Sequence, residues 1–295
     1  MPANIESFDN FDSDLQIAAH QTGLVRVILE GKSDVDLFGK YWFGSMRETF
    51  DFLEASQLVN GSGCTAVRAA VHHSQTVDHV PAIGIIDRDS LFREQRWELL
   101  FEVDEAEFAA NLQTAEIYVA SLWEIEAYML EPDLLAKWVS GSHRTPPGPQ
   151  AECESALVRT LSECDFLLEI ASFFAAAHAE GQSISEGYFR GVSLAAAKST
   201  CAEKLAKLST ESQSVAARVD ALVATVRGSR PDGDADQLRF LLRYVDTKRL
   251  IIRLFQSLKV HDGSHWTMPH MQALSNRRPA EFEAFLKTVE RRYVA

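Results

Sequence analysis

Two stretches of the chain set carboxylates at the ends of apolar runs. "AIGIIDRDS" (Ala82–Ser90) passes from four apolar residues and a glycine into Asp87 and Asp89, with Arg88 between them. "VRVILEGKSD" ends its apolar run at Glu30, with Asp34 four residues on. A third acidic pair, Glu124 and Glu126, lies in "LWEIEAYML". Residues two apart on an extended chain point the same way. Two carboxylates side by side repel unless a cation lies between them or one holds a proton. Magnesium is the expected cation, with manganese as its substitute, because it takes oxygen ligands and retains water for a substrate. Glu30 and Asp34, four apart across a turn into a helix, can face one point, and Glu124 and Glu126 share a side where the chain is extended. Three such clusters on one rim would make a one- or two-metal site suited to phosphodiester chemistry, in which a bound ion lowers the pKa of water towards neutrality. Arg88 points away from the acids if the strand continues, and reads as a structural ion-pair partner. The same residues also have plainer readings. Ser33 or Asp34 can cap a helix, Asp-Arg-Asp occurs in solvated turns, and Glu124 and Glu126 can lie on a helix surface.

The elements that must position these acids alternate between strand and helix. Val25–Leu29 is rich in β-branched residues and predicts a strand. Beyond Gly31, the residues Val35, Phe38, Tyr41 and Trp42 recur at helical spacing behind Ser33 as a possible N-cap. Phe50–Ser56 predicts a short strand, Asn60–Gly63 a glycine-rich turn, "CTAVRAAVHHSQ" a helix, and Ala82–Ile86 a third strand after Pro81. "EIYVASLWEIEAYML" reads as a strand passing into a helix. The order β-α-β-α-β with near-continuous apolar strands implies an α/β fold, a Rossmann-like parallel sheet flanked by helices. Such sheets place their sites at the carboxyl ends of the strands, where Glu30 and Asp87 stand. After about residue 140 the pattern becomes helical and rich in Ala and Leu, behind a Pro/Gly/Ser loop at residues 140–150. The expected division is therefore a catalytic domain over 1–140, a helical region over 141–236, and a basic helical segment over 237–295 packing back on the catalytic domain.

Composition narrows the class. The 295 residues are 46% hydrophobic and 24% charged, which is ordinary for a globular protein. No apolar run approaches the ~20 residues of a membrane span, and the acidic N-terminal stretch resembles neither a secretory signal nor a transit peptide, so the expected compartment is the cytoplasm. Cys64, Cys153, Cys164 and Cys201 form no CxxC pair and read as reduced thiols in helices. The net charge of −13 argues against a surface that coats nucleic acid generally. From Lys248 onward, however, nine Lys/Arg face four Asp/Glu, a net of +5, which leaves −18 for the rest. That basic end could be a phosphate-binding face, an interface to an acidic partner, or a solvated mixed-charge surface. His261, His265 and His270 are irregularly spaced around Gly and Pro and read as a loop.

Glu followed by Gly at the end of the first strand, with Asp-x-Asp ending a later one, resembles the TOPRIM fold of topoisomerases, primases and OLD-type nucleases. More narrowly, "VILEGKSDVDLF", "GIIDRDS" and "LWEIEAYMLEPDLL" resemble a TOPRIM-like family with motifs VEGKxDV, DRD and hEIENYLL. Members of that family are often encoded beside ABC-type ATPases and include the nuclease subunits of PARIS-type anti-phage systems. The likeness covers residues 24–138, with a weaker match at "YVDTKRLIIRLF"; Ala127 stands where the family has Asn. The resemblance implies a magnesium-dependent nuclease that acts on DNA or a structured RNA such as tRNA once an ABC-type ATPase partner releases it. It implies Asp87 and Asp89 as metal ligands, Glu30 as ligand or general base, and Asp34 completing that site. Glu126, or Glu124 in its place, would be an outer ligand, and Lys248 or Lys32 would offset charge on the scissile phosphate. A homodimer is compatible with the apolar helical middle. The other reading is a catalytically inactive scaffold or sensor that docks an ATPase.

Overall fold

The computed structural model describes residues 23–185, 187 and 189–293. The acidic N-terminal stretch read above lies outside them. The described chain divides into two compact units, each built from more than one segment.

The first unit comprises residues up to 86, 112–119 and 272 onward. It holds a four-stranded sheet in the order β2-β1-β3-β4. The strands are β1 (Val25–Leu29), β2 (Phe50–Glu54), β3 (Ala82–Ile86) and β4 (Ile117–Val119). All three pairings are parallel, with Val27 opposite Ile83 and Ile86 opposite Val119. Every residue of β3 is buried, so that strand is covered on both faces, which explains its unbroken apolar run. Between β1 and β2 lie the short helix α1 (Lys32–Asp36) and a π-helical stretch over Leu37–Trp42. The long helix α2 (Gly63–Thr76) joins β2 to β3. Gly84 permits α2 to approach, since a Cβ there would stand 2.6 Å from Val67 and 2.9 Å from Ile117. The closing helix Ala280–Tyr293 buries Phe282 against Phe38, Trp42 and Tyr118.

The α/β expectation holds, and β1 and β3 occupy the predicted ranges. Two local readings change. Gly31, not Ser33, is the N-cap of α1, because its extended backbone delivers the chain into the helix two residues earlier. The predicted helix through Tyr41 and Trp42 widens to π geometry as Phe38, Trp42 and Phe43 are buried together.

The second unit comprises residues 87–111 and 120–271. It begins with the one-turn helix α3 (Asp89–Arg93) and is helical almost throughout. Helices α4 (Ala156–Glu169), α5 (Ala171–Ala179), α6 (Thr210–Gly228) and α7 (Thr247–Ser257) are its main members. The helix Asp234–Leu241 ends before residues 242–246, and α7 follows them. Asp246 caps α7 by accepting the Arg249 N–H at 2.9 Å. The four cysteines are free thiols, all in helices, and burial pushes the Cys201 thiol up to about 11. The histidine stretch forms a loop only as far as Gly263. A 3₁₀ turn and the helix Thr267–Leu274 take over from there.

Candidate metal centre

The site starts from strand geometry. Continuing the β1–β3 register, in which Ile28 faces Gly84, sets Glu30 level with Ile86, one residue before Asp87. With neighbouring strands about 4.8 Å apart and a rise of about 3.3 Å per residue, the Cα atoms of Glu30 and Asp87 fall about 6 Å apart. Two carboxylates on such a pair can reach a common point. Glu30, Asp87 and Asp89 do so: each offers an oxygen, and these oxygens lie within 4.8 Å of one another. Glu30 is half-buried, and both aspartates are buried.

Asp87 and Asp89 come together by a different route from the one their spacing suggests. The strand ends at Ile86, and Asp89 is already the first residue of α3. Its backbone N–H donates to the Trp123 carbonyl at 2.9 Å, while the Ser90 N–H donates back to the Asp87 carbonyl at 3.2 Å. Arg88 fixes the turn from beneath. It is 2% exposed. Its guanidinium donates to the carbonyls of Leu100 (2.6 and 3.0 Å), Ser121 (3.0 Å) and Glu102 (3.1 Å). It also lies 4.1 Å over the Phe108 ring. The structural role expected of Arg88 is therefore met through carbonyls and a ring.

Glu124 and Glu126 separate. Glu124 is extended and buried, while Glu126 enters the 3₁₀ turn Ile125–Met129 and is half-buried. The Ile125 N–H at the start of that turn donates to Asp87 Oδ1 at 2.9 Å. Lys248, from the first turn of α7, sets its ammonium 3.3 Å from Glu124 Oε1. Glu124 thus pairs directly with Lys248, and the charge of Glu126 also acts on that ammonium. Asp34 has a local job: its Oδ2 accepts the Gly31 N–H at 3.0 Å and braces the turn that carries Glu30. Asp34 and Glu126 are not among the three carboxylates that converge. Lys32 is the second residue past Glu30 and opens α1.

The electrostatics follow from burial. Desolvation raises the pKa of Asp89, against the lowering effect of Arg93, whose guanidinium sits 2.6 Å from Asp89 Oδ2. Desolvation raises Glu124 further, and the charges of Asp246, Glu126 and Asp89 add to it against Lys248. Burial alone would lower Lys248, but Glu124, Glu126, Asp87 and Asp89 outweigh it and hold the ammonium firmly protonated. Two buried carboxylate oxygens, Asp89 Oδ1 and Glu124 Oε2, have no hydrogen-bond partner. Such atoms normally cost about 1–3 kcal/mol each unless something positive meets them. A divalent cation fits this donor set. All donors are carboxylate oxygens, and octahedral magnesium, with bonds of about 2.1 Å, spaces its ligands about 3.0 Å (cis) to 4.2 Å (trans) apart. From the 4.8 Å upper bound on the present separations, a cis pair would close by up to about 1.8 Å and a trans pair by about 0.6 Å.

Sequence reasoning passed over Arg93 and Asp246. Arg93 was signalled by its position four residues after Asp89 on a helix, and Asp246 by its place as a capping acid just before Lys248. Comparison of the chain with protein-family models, with curated proteins and with solved structures returned no match. Among the described residues, no helix is long and apolar enough to cross a membrane.

Proposed function

We propose that this protein is a magnesium-dependent nuclease whose centre is formed by Glu30, Asp87 and Asp89, with Glu124 and Lys248 beside it. The observation that supports this reading best is the convergence of three carboxylates that follow two adjacent parallel strands, Asp89 from the first turn of α3. The two unpaired carboxylate oxygens next to them add to it. Magnesium or manganese bound there would supply Lewis-acid polarisation of phosphate oxygens and an activated water. The chain's own residues divide the remaining work. Asp87 is oriented by the Ile125 N–H, and Asp89 by Arg93 and the Trp123 carbonyl. Lys248 stays cationic and offers a positive charge to a phosphate drawn to this acidic rim. Glu30, the least enclosed of the three converging carboxylates, is the candidate proton acceptor.

The family resemblance extends the proposal to an anti-phage effector of PARIS type. Such an effector would act on DNA or a structured RNA such as tRNA and be held by an ABC-type ATPase until triggered. Purified protein with magnesium or manganese, offered total RNA and plasmid DNA, tests the chemistry. Wild type should cut at least one polymer, and Glu30→Gln and Asp87→Asn should each lose about 10²-fold or more of that activity. Ala127 replaces the family Asn beside Glu126 and favours the competing reading, an inactive scaffold that docks an ATPase. On that reading wild type cuts neither polymer, and both variants keep their complex with the ATPase.

A further inference from the structure

A cavity of about 190 Å³ lies within the second unit. Three of its walls come from the segments that carry the site. Phe92 is three residues past Asp89 on α3, Trp123 immediately precedes Glu124, and Asp246 caps the helix of Lys248. Six of its fourteen lining residues carry a ring. Phe92 and Trp123 lie 5.8 Å apart between ring centroids, and His178 stands 5.1 Å from Phe92 on the other side. Phe174 adds a fourth ring, with the Arg249 guanidinium 3.9 Å over it. Arg249 is already engaged by Asp246 (2.7 Å) and the Ile184 carbonyl (3.1 Å), yet its buried Nη1 donor has no partner.

These features narrow the occupant. At about 30 Å³ per water, the space equals about six waters. That suits one heterocyclic ring system and falls below the ~300 Å³ at which drug-sized pockets begin. Aromatic walls favour a flat ring. Beside a centre that takes a phosphodiester, the flat ring within reach is a nucleobase. We infer that this cavity receives one nucleobase, turned out of its strand beside the phosphate presented to the carboxylates. The inference rests on the nuclease reading and adds to it a base-binding subsite: the enzyme engages a strand whose base can leave its stack.

The test measures binding and needs no cleavage. The full chain, in calcium buffer, is titrated with a single-stranded 12-mer carrying 2-aminopurine at each position in turn. RNA and DNA versions are used, together with matching strands that are abasic at that position. Stacking on aromatic walls should quench 2-aminopurine fluorescence at one position. The abasic strand should bind about 5- to 150-fold more weakly there, the range that base–aromatic stacking supports. Ala171→Trp fills the cavity from its wall. Ser183→Trp fills it from an exposed rim, where the fold is not at risk. Each should remove the discrimination and the quenching. Equal affinity for base-bearing and abasic strands in both RNA and DNA overturns the inference, as does discrimination that survives both filled variants. A chain that discriminates but cuts neither polymer in magnesium overturns the nuclease reading alone. One that cuts without discriminating overturns the base pocket alone.

Discussion

Replacing Asp89 by asparagine should change the sign of its effect on stability when magnesium is added. Without metal, Asp89 holds a buried oxygen with no partner, at a cost of about 1–3 kcal/mol. Its other oxygen pairs with Arg93, whose side chain is 48% exposed, and a pair of that kind contributes about 0.2–1 kcal/mol. An asparagine removes the buried charge, and its amide can donate to the carboxylates of Glu30 or Asp87, whose oxygens lie within 4.8 Å. In EDTA the variant should therefore be more stable than wild type by about 1–2 kcal/mol, or about 2–4 °C in Tm for a chain of this size. With magnesium at about 100 times its dissociation constant, wild type gains about 2.7 kcal/mol, and the variant, short of one ligand, gains little. The order of the two melting curves should reverse. The pH dependence follows from the direction of the shift. Burial raises the Asp89 pKa above its ordinary 3.8, so the folded chain holds this proton more tightly than the unfolded one. Metal-free wild type therefore loses this contribution to stability as pH rises from about 4, whereas the variant keeps only the loss that the buried Glu124 causes in both proteins. The gap in EDTA should open from pH 4 towards neutrality and close again on acidification. Thermal unfolding followed by circular dichroism, with and without magnesium across that range, measures all of this. A variant less stable than wild type in EDTA at pH 7 would refute the reasoning, as would one that keeps the full magnesium shift.

Three further outcomes test the frame around the site. Gly84→Ala puts a methyl group 2.6 Å from Val67, so overpacking between α2 and β3 should cost about 1–3 kcal/mol in chemical denaturation. Arg88→Met keeps much of the buried volume but frees the carbonyls of Leu100, Ser121 and Glu102. The loss should reach about 3–5 kcal/mol, with magnesium stabilisation abolished, because the turn carrying both aspartates is no longer held. Lys248→Met removes the cation that lowers the Glu124 pKa, so Glu124 should keep its proton to higher pH. Calorimetric titration should then show the pH midpoint of magnesium binding moved upward.

The parts of this molecule that the sequence exposes are those governed by local rules. β1 and β3 could be read because buried parallel strands need apolar, β-branched runs whatever surrounds them. The convergence of Glu30 with Asp87 could be read because the β-α-β order puts the ends of those strands side by side. The different surroundings of Glu124 and Glu126 could not. They depend on the backbone being extended at Glu124 and turning into a 3₁₀ helix one residue later, and on a lysine 124 residues further along the chain. The extended continuation past β3 failed for a related reason. Arg88 finds carbonyls from two separate segments beneath it and draws the chain into a helix, where its sequence neighbours suggest only an exposed turn or a strand end.

The aromatic cavity belongs with these long-range features. Phe92, Trp123, Phe174 and Tyr244 are unremarkable core residues when read singly, and only tertiary folding brings them round one space. The polar groups left unsatisfied tell the same story. Asp89 Oδ1 and Glu124 Oε2 lack hydrogen-bond partners at the rim, and the buried Nη1 of Arg249, a residue that lines the cavity, lacks one too. A folded chain does not ordinarily leave buried charged groups short of partners of both signs within a few residues of one another. A nucleotide bound together with a divalent cation would occupy both places. The cation would answer the carboxylates, the phosphate would lie by Lys248 and the cation, and the base would stack against the rings of the cavity. This shared explanation is what joins the metal centre and the cavity into one site, and it requires that a strand able to fill the cavity raise the apparent affinity for magnesium.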